Sequence, residues 1–220
     1  MTQLLESFFS PHHTSVKICG ITTSEDAHQL VAHQVPAIGL NFWPKSKRFC
    51  SHKTATTLAP IFKGNTLRVG VFVNASEEDV LSTFEHDLID VAQFHGDEPN
   101  SFLARFAQNQ LPFIKAIGVS DSSDLNALEQ YHTPYLLLDA HAPGVYGGTG
   151  ECIDWDLAAT LIQSAPHLSI MLAGGITPLN AATAVSQVAP CALDIASGAE
   201  SAPGIKDFDK VRSILHASAS

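Results

Sequence analysis

The sequence predicts an α/β protein folded as a single (β/α)8 TIM barrel with a short N-terminal extension. Three observations carry this. From residue 15 onward, eight short runs rich in Val, Ile, Leu or Phe alternate with eight helix-compatible stretches. The apolar runs are continuous, as parallel strands covered on both faces should be. Polar residues and glycines gather where those runs end, at the face where such barrels hold their sites. No composition break divides the chain, so two smaller halves are the weaker alternative. Residues 1–14 form the extension and residues 15–220 the barrel.

In chain order, the extension comes first. Leu4, Leu5, Phe8 and Phe9 make a short apolar helical stripe that stops at Pro11, fit to pack over the barrel bottom or against a partner. Strands are expected at 15–19, 36–42, 67–73, 89–94, 112–117, 135–139, 168–172 and 191–196. Helices are expected at 24–34, 52–62, 77–86, 98–108, 122–130, 154–164, 178–187 and 206–216. Thr23 or Ser24, Ser76 and the run Asp121-Ser122-Ser123 offer side-chain oxygens to free first-turn amides, and acids follow the first two. Pro99 and Pro178 sit near helix starts, where a missing N–H is harmless.

Composition narrows the function. The chain has 220 residues, 45% hydrophobic, enough for a large core, and a formal net charge of −10. That charge argues against nucleic-acid binding, which needs a basic stripe. It leaves open a small anionic substrate, because a pocket answers to its local field. Cys19, Cys50, Cys152 and Cys191 are too widely spaced for a zinc motif, and the 11 histidines show no metal pattern with a general-base Glu. The N-terminus does not resemble a signal peptide, and no run reaches the roughly 18 apolar residues of a membrane span. A cytoplasmic, reducing compartment is the expectation, with no membrane partner.

The candidate chemistry lies at the strand ends. The first strand ends on Cys19, and alternation places Lys17 on the same inward face, with Val16 and Ile18 outward. A lone strand-end thiol is usually a small buried hydrophobe, so Cys19 needs company to count as chemical. Asp194, two residues before Ala196 on the last strand, is a plausible buried partner for Lys17. Gly174-Gly175 and Ser197-Gly198 follow the seventh and eighth strands, where backbone amides and a helix N-terminus suit a phosphate. Asp139 ends an apolar strand, where partial desolvation suits a general acid, although a helix cap is the plainer role. The Gly-rich connection from His141 to Gly150 is longer than usual and reads as a lid. Lys45, Lys47 and Arg48 form a local basic cluster beside Phe42 and Trp43, aromatics able to line a flat ring.

Several short motifs occur in order: Val-Lys-Ile-Cys-Gly-Ile-Thr at 16–22, Phe42-x-Pro44-x-Ser46-x-Arg48, Val69-Gly70-Val71-Phe72-Val73-Asn74 and Gln93-x-His95-Gly96. They continue with Leu138-Asp139, Gly147-Gly148-Thr149-Gly150, Ala173-Gly174-Gly175-Ile176 and Ser197-Gly198-x-Glu200-x-x-Pro203-Gly204-x-Lys206-Asp207. Together they resemble phosphoribosylanthranilate isomerase over about residues 15–215. Ala196 departs from the pattern, which has a serine there in many relatives. The resemblance implies an aldose–ketose isomerase of tryptophan biosynthesis that performs an Amadori rearrangement without cofactor or metal. It implies Cys19 as general base and Asp139 as general acid. It places Arg48 on the anthranilate carboxylate, Gly174, Gly175, Ser197, Gly198 and Ala199 on the phosphate, and Gln93 and His95 at the mouth. The partner it implies is a small-molecule phosphosugar, bound by a monomer or a homodimer.

The rival readings are another phosphate-binding barrel, such as indole-glycerol-phosphate synthase or the sugar isomerase of histidine synthesis, and a non-catalytic phosphosugar-binding barrel. The former enzymes resemble lysine–glutamate and paired-aspartate chemistry, which a Cys19/Asp139 pair does not match. The presence of both a base and an acid speaks against a purely binding role.

Overall fold

Short β-branched and leucine-rich runs close into a cylinder because each is apolar on both faces and needs a layer on either side. The computed structural model describes residues 3–119, 130–140 and 153–218. Its strands are β1 (Ser15–Cys19), β2 (Ala37–Asn41), β3 (Leu67–Phe72), β4 (Val91–Phe94), β5 (Phe113–Val119), β6 (Tyr135–Ala140), β7 (Ser169–Leu172) and β8 (Ala192–Ile195). They pair in parallel, in chain order, into a closed barrel, and β8 returns to β1 with Lys17 beside Asp194. This is the (β/α)8 barrel that the sequence predicts.

The helices packed around it are α2 (Ser24–Ala32), α3 (His52–Phe62), α4 (Glu77–Glu85), α5 (Asn100–Gln108), α6 (Trp155–Ser164), α7 (Ala181–Val188) and α8 (Phe208–Ser218). Thr23 caps α2 by accepting from the Asp26 amide at 3.1 Å, and Ser76 caps α4 by accepting from Asp79 at 3.1 Å. The helix expected at 122–130, with its Asp121-Ser122-Ser123 cap, lies almost wholly outside the described residues. The Gly-rich stretch from His141 to Gly150 lies entirely outside them.

Two apolar cores follow from strand alternation. Outward residues such as Val16, Ile18, Leu138 and Leu193 pack with the helices in one cluster. Inward residues, among them Leu67, Val91, Ile114, Leu137 and Met171, form a second cluster inside the barrel. The extension joins this inner core. It begins with α1 (Gln3–Phe8), whose Leu5 and Phe8, with Phe9 after it, are buried against those inward side chains. Phe9 stacks on Tyr135, the first residue of β6, at 4.3 Å. The apolar stripe therefore stoppers the N-terminal end of the barrel, leaving the other end for polar groups.

Between β8 and α8 the chain makes a 3-10 turn over Ser197–Ala199, then a small antiparallel hairpin of β9 (Glu200–Ala202) and β10 (Ile205–Lys206). The sequence does not announce this hairpin. The predicted helix from 206 instead begins at Phe208.

Candidate active site

Alternation along β1 turns Lys17 and Cys19 into the barrel, and Lys17 is fully buried. The neighbouring strand makes room for the thiol with a glycine: a Cβ on Gly39 would come within 2.6 Å of Cys19 Sγ. Cys19 opens onto a cavity of about 310 Å3 at the C-terminal mouth. Arg48, Gln93, His95, Asp139, Gly174, Gly175, Ser197 and Gly198 line the same cavity. So do Trp43, Lys45 and Lys47 on the rim.

Two expectations need correction. Ala199 is buried away from the cavity, and its amide donates to the Ala196 carbonyl at 3.1 Å, closing the 3-10 turn. That amide is committed within the backbone rather than free for an anion. Phe42 does not line the mouth either; it stacks on Phe72 at 5.2 Å in the outer core.

The glycines at the ends of β7 and β8 form a hollow. Gly174 and Gly175 have φ of 84° and 62°, left-handed values that suit glycine. A Cβ on Gly198 would lie 1.8 Å from the Ile176 carbonyl oxygen, so no other residue fits where the two loops meet.

A continuous line of polar groups crosses the barrel along the cavity floor. Lys17 Nζ donates to Asp194 Oδ1 and to Gln93 Oε1, both at 2.9 Å. Gln93 Nε2 lies 3.0 Å from His95 Nδ1, and His95 Nε2 lies 3.2 Å from Asp139 Oδ2. Asp139 Oδ1 accepts from the Ala140 amide at 2.9 Å. The Lys17–Asp194 pair suggested by alternation is present, and Lys17 also acts on Cys19. Burial pushes the Cys19 thiol up, while the charges of Lys17 and Lys206 pull it down, and the balance is upward. Burial works against the Lys17 charge, but Asp194 and Cys19 outweigh it and hold the ammonium above its ordinary value.

Sequence reasoning missed the group beneath Arg48. Arg48 forks onto Glu200, with Nε to Oε1 at 2.8 Å and Nη2 to Oε2 at 2.7 Å. Glu200 also accepts from Lys206 Nζ at 2.7 Å and from the Gly204 amide at 3.1 Å. Lys206 donates onward to the Cys19 carbonyl at 2.7 Å, tying the hairpin to the end of β1. A second missed pair steadies the loop carrying His95. Lys115 donates to the Gly96 carbonyl at 2.6 Å and to Glu98 at 2.7 Å, both side chains being buried. A lysine inside the apolar run of β5 was the available signal for this pair. Among the described residues no cluster of His, Cys, Asp or Glu is arranged to hold a metal ion.

A thiol and a carboxyl reach one glycine-floored cavity from different strands of a closed parallel barrel, and this defines the class: a (β/α)8-barrel enzyme with its site at the C-terminal mouth. Comparison with known proteins narrows it. Residues 16–217 match the family model described as N-(5'phosphoribosyl)anthranilate (PRA) isomerase. The chain is 42% identical over 198 residues to N-(5'-phosphoribosyl)anthranilate isomerase of Nitrosomonas eutropha, covering 89% of this chain and 92% of that protein. It superposes on the crystal structure of phosphoribosyl anthranilate isomerase from Thermotoga maritima with a TM-score of 0.82 and 34% identity, covering 93% of this chain and 98% of that one. A phosphoribosyl anthranilate isomerase solved with reduced 1-(o-carboxyphenylamino)-1-deoxyribulose 5-phosphate matches with a TM-score of 0.78 and 33% identity, over 93% of this chain and 98% of that one. The chain belongs to the phosphoribosylanthranilate isomerase family.

Proposed function

We propose that this protein isomerises N-(5′-phosphoribosyl)anthranilate to 1-(o-carboxyphenylamino)-1-deoxyribulose 5-phosphate, an Amadori rearrangement of tryptophan biosynthesis, with Asp139 as general acid and Cys19 as general base. The observation that carries the assignment of roles is that both groups line one cavity, from β6 and β1, beside the glycine hollow of β7 and β8.

Asp139 gives its proton to the furanose ring oxygen. The C1′–O bond breaks as the anthranilate nitrogen lone pair forms the C=N bond, leaving an open protonated imine. The Cys19 thiolate then removes the C2′ proton, and the C–H electrons form C1′=C2′ while the imine pair returns to nitrogen. The resulting enolamine becomes the ketone when C1′ takes the proton from Cys19 and the C2′ hydroxyl returns one to Asp139. Both residues end as they began. The protonated imine is itself the electron sink, so the chemistry calls for neither metal nor cofactor.

Arg48 keeps donors beyond the two given to Glu200 for the anthranilate carboxylate. The phosphate is taken by amides around Gly174, Gly175, Ser197 and Gly198, with Lys45 and Lys47 adding positive charge at the rim. Every residue in this reading comes from one chain, so it serves a monomer or a homodimer alike.

The test follows the fluorescence of phosphoribosylanthranilate, which decays as it is consumed. Cys19→Ser and Asp139→Asn should each lower kcat by about 10²–10⁴-fold, the usual worth of a positioned acid or base. Undiminished activity in both variants would overturn the mechanism.

A further inference from the structure

The hydrogen-bonded line along the cavity floor has one permitted polarity. Lys17 Nζ is a donor only, so the Gln93 atom facing it at 2.9 Å is the amide oxygen. The ammonium, not a choice between look-alike oxygen and nitrogen, fixes the amide's orientation. The Gln93 NH2 then faces His95 Nδ1 at 3.0 Å. That NH2 group donates, so Nδ1 is the bare nitrogen and the neutral imidazole carries its proton on Nε2. Nε2 faces Asp139 Oδ2 at 3.2 Å. Lys17 is fully buried and held on its other side by Asp194, and Gln93 is fully buried too, so neither the ammonium nor the amide is free to turn.

We propose that Gln93 is a positioning residue for the general acid: it transmits the polarity of Lys17 to His95, holding the imidazole as the Nε2–H tautomer that donates to Asp139. The proposal rests on the reading of Asp139 as the acid. Its chemical consequence is specific. An imidazole is ordinarily a stronger base than a carboxylate. In the opposite tautomer, an Nε2 lone pair would face the carboxyl and compete with the ring oxygen of the substrate for its proton. With Nε2 protonated and Nδ1 covered by the amide, His95 orients the carboxyl without competing for that proton.

The test begins with the enzyme as it stands. Long-range 1H–15N correlation spectra of uniformly 15N-labelled protein, recorded where imidazoles are neutral, distinguish the two tautomers. The His95 signal is identified by its loss in His95→Asn. An Nε2–H pattern is expected, and an Nδ1–H pattern overturns the proposal whether or not any variant folds. In Gln93→Glu the carboxylate accepts from both Lys17 and His95, so the tautomer should reverse to Nδ1–H. kcat should then fall by about 100-fold; because the new carboxylate also draws on Lys17 and lines the cavity, the tautomer is the deciding readout and kcat the supporting one. An unchanged tautomer in Gln93→Glu, or a reversed tautomer with unchanged kcat, also overturns the proposal. Full activity in Asp139→Asn would instead remove the acid assignment on which the proposal rests. The tautomer is read in the wild-type protein, whatever the activity of Asp139→Asn, so the two failures are told apart.

Discussion

Cys19 is the residue on which the proposed chemistry turns, and its surroundings oppose one another. Burial pushes the thiol up; Lys17 and Lys206 pull it down without reversing the balance. Burial therefore favours the thiol over the thiolate, and the Lys17 ammonium is the chief charge opposing it. The rate of alkylation of Cys19 by iodoacetamide should keep rising with pH beyond the ordinary thiol range. Burial pushes Cys50 and Cys191 up to about 12, so they stay largely unreactive at moderate pH, and Cys19→Ser supplies the background. Lys17→Met should slow alkylation and move its midpoint further up. It also strands Asp194, a loss of about 3–5 kcal/mol. The double variant Lys17→Met/Asp194→Leu should regain much of that stability by removing the unpaired charge. Asp194 itself pushes the thiol up, so the double variant loses one charge of each sign and its thiol should react between Lys17→Met and the wild type. A fully folded Lys17→Met protein whose thiol reacted like the wild type would show that Lys17 does not act through its charge. The Lys17–Asp194 pairing was legible because strand alternation fixes which side chains share a face. Gly39 was not legible, because its reason lies in the sulfur of a neighbouring strand.

At the scale of elements, the hairpin of β9 and β10 organises the mouth. Its Glu200 holds Arg48 and Lys206 together, and Lys206 grips the carbonyl of Cys19. Strands of three and two residues are too short for a periodic signal, so the sequence showed the motif's residues without the element that presents them. The ends of most barrel strands were easier, since glycines and polar groups there interrupt the apolar runs. Burial alone would raise the Glu200 carboxyl, but the hydrogen bond from Arg48 and the charge of Lys206 outweigh it and hold it below its ordinary 4.5. A carboxyl with a depressed folded-state value contributes stability above its unfolded value, and loses it as pH falls through the folded one. Urea midpoints of the wild type should therefore drop as pH goes below about 4.5. Glu200→Gln should be less stable at neutral pH and flatter across that acid range. With Arg48 released from its fork, KM for phosphoribosylanthranilate should rise more than kcat falls. An equal acid slope in both proteins would show that the cluster does not carry the linkage.

The whole molecule separates its tasks between the two ends of one barrel. Polar groups fill the C-terminal mouth, while α1 closes the N-terminal end with Leu5, Phe8 and Phe9, which are 0%, 2% and 6% exposed. The barrel itself was legible because eight continuous apolar runs admit few other arrangements. The place of α1 was not, because an apolar stripe shows that a helix must be covered without showing by what. The family match begins at residue 16, so the stopper lies outside the segment shared with the family model. Removing it exposes the inner cluster at Leu67, Val91 and Ile114 to water. Phe8→Ala should cost about 3–5 kcal/mol, as truncating a fully buried aromatic side chain does. At about 2–4 °C per kcal/mol for a chain of this size, Tm should fall by roughly 6–20 °C. Deleting residues 2–10 should cost at least as much. At 25 °C, kcat and KM per folded molecule should both stay within about twofold, because the stopper and the chemistry occupy opposite ends of a close-packed barrel core. Differential scanning fluorimetry and the isomerase assay on the same preparations decide the matter. An unchanged Tm would show that α1 contributes nothing to the core. A fall in kcat at a temperature where the variant is fully folded would show instead that packing at the stoppered end reaches the line from Lys17 to Asp139.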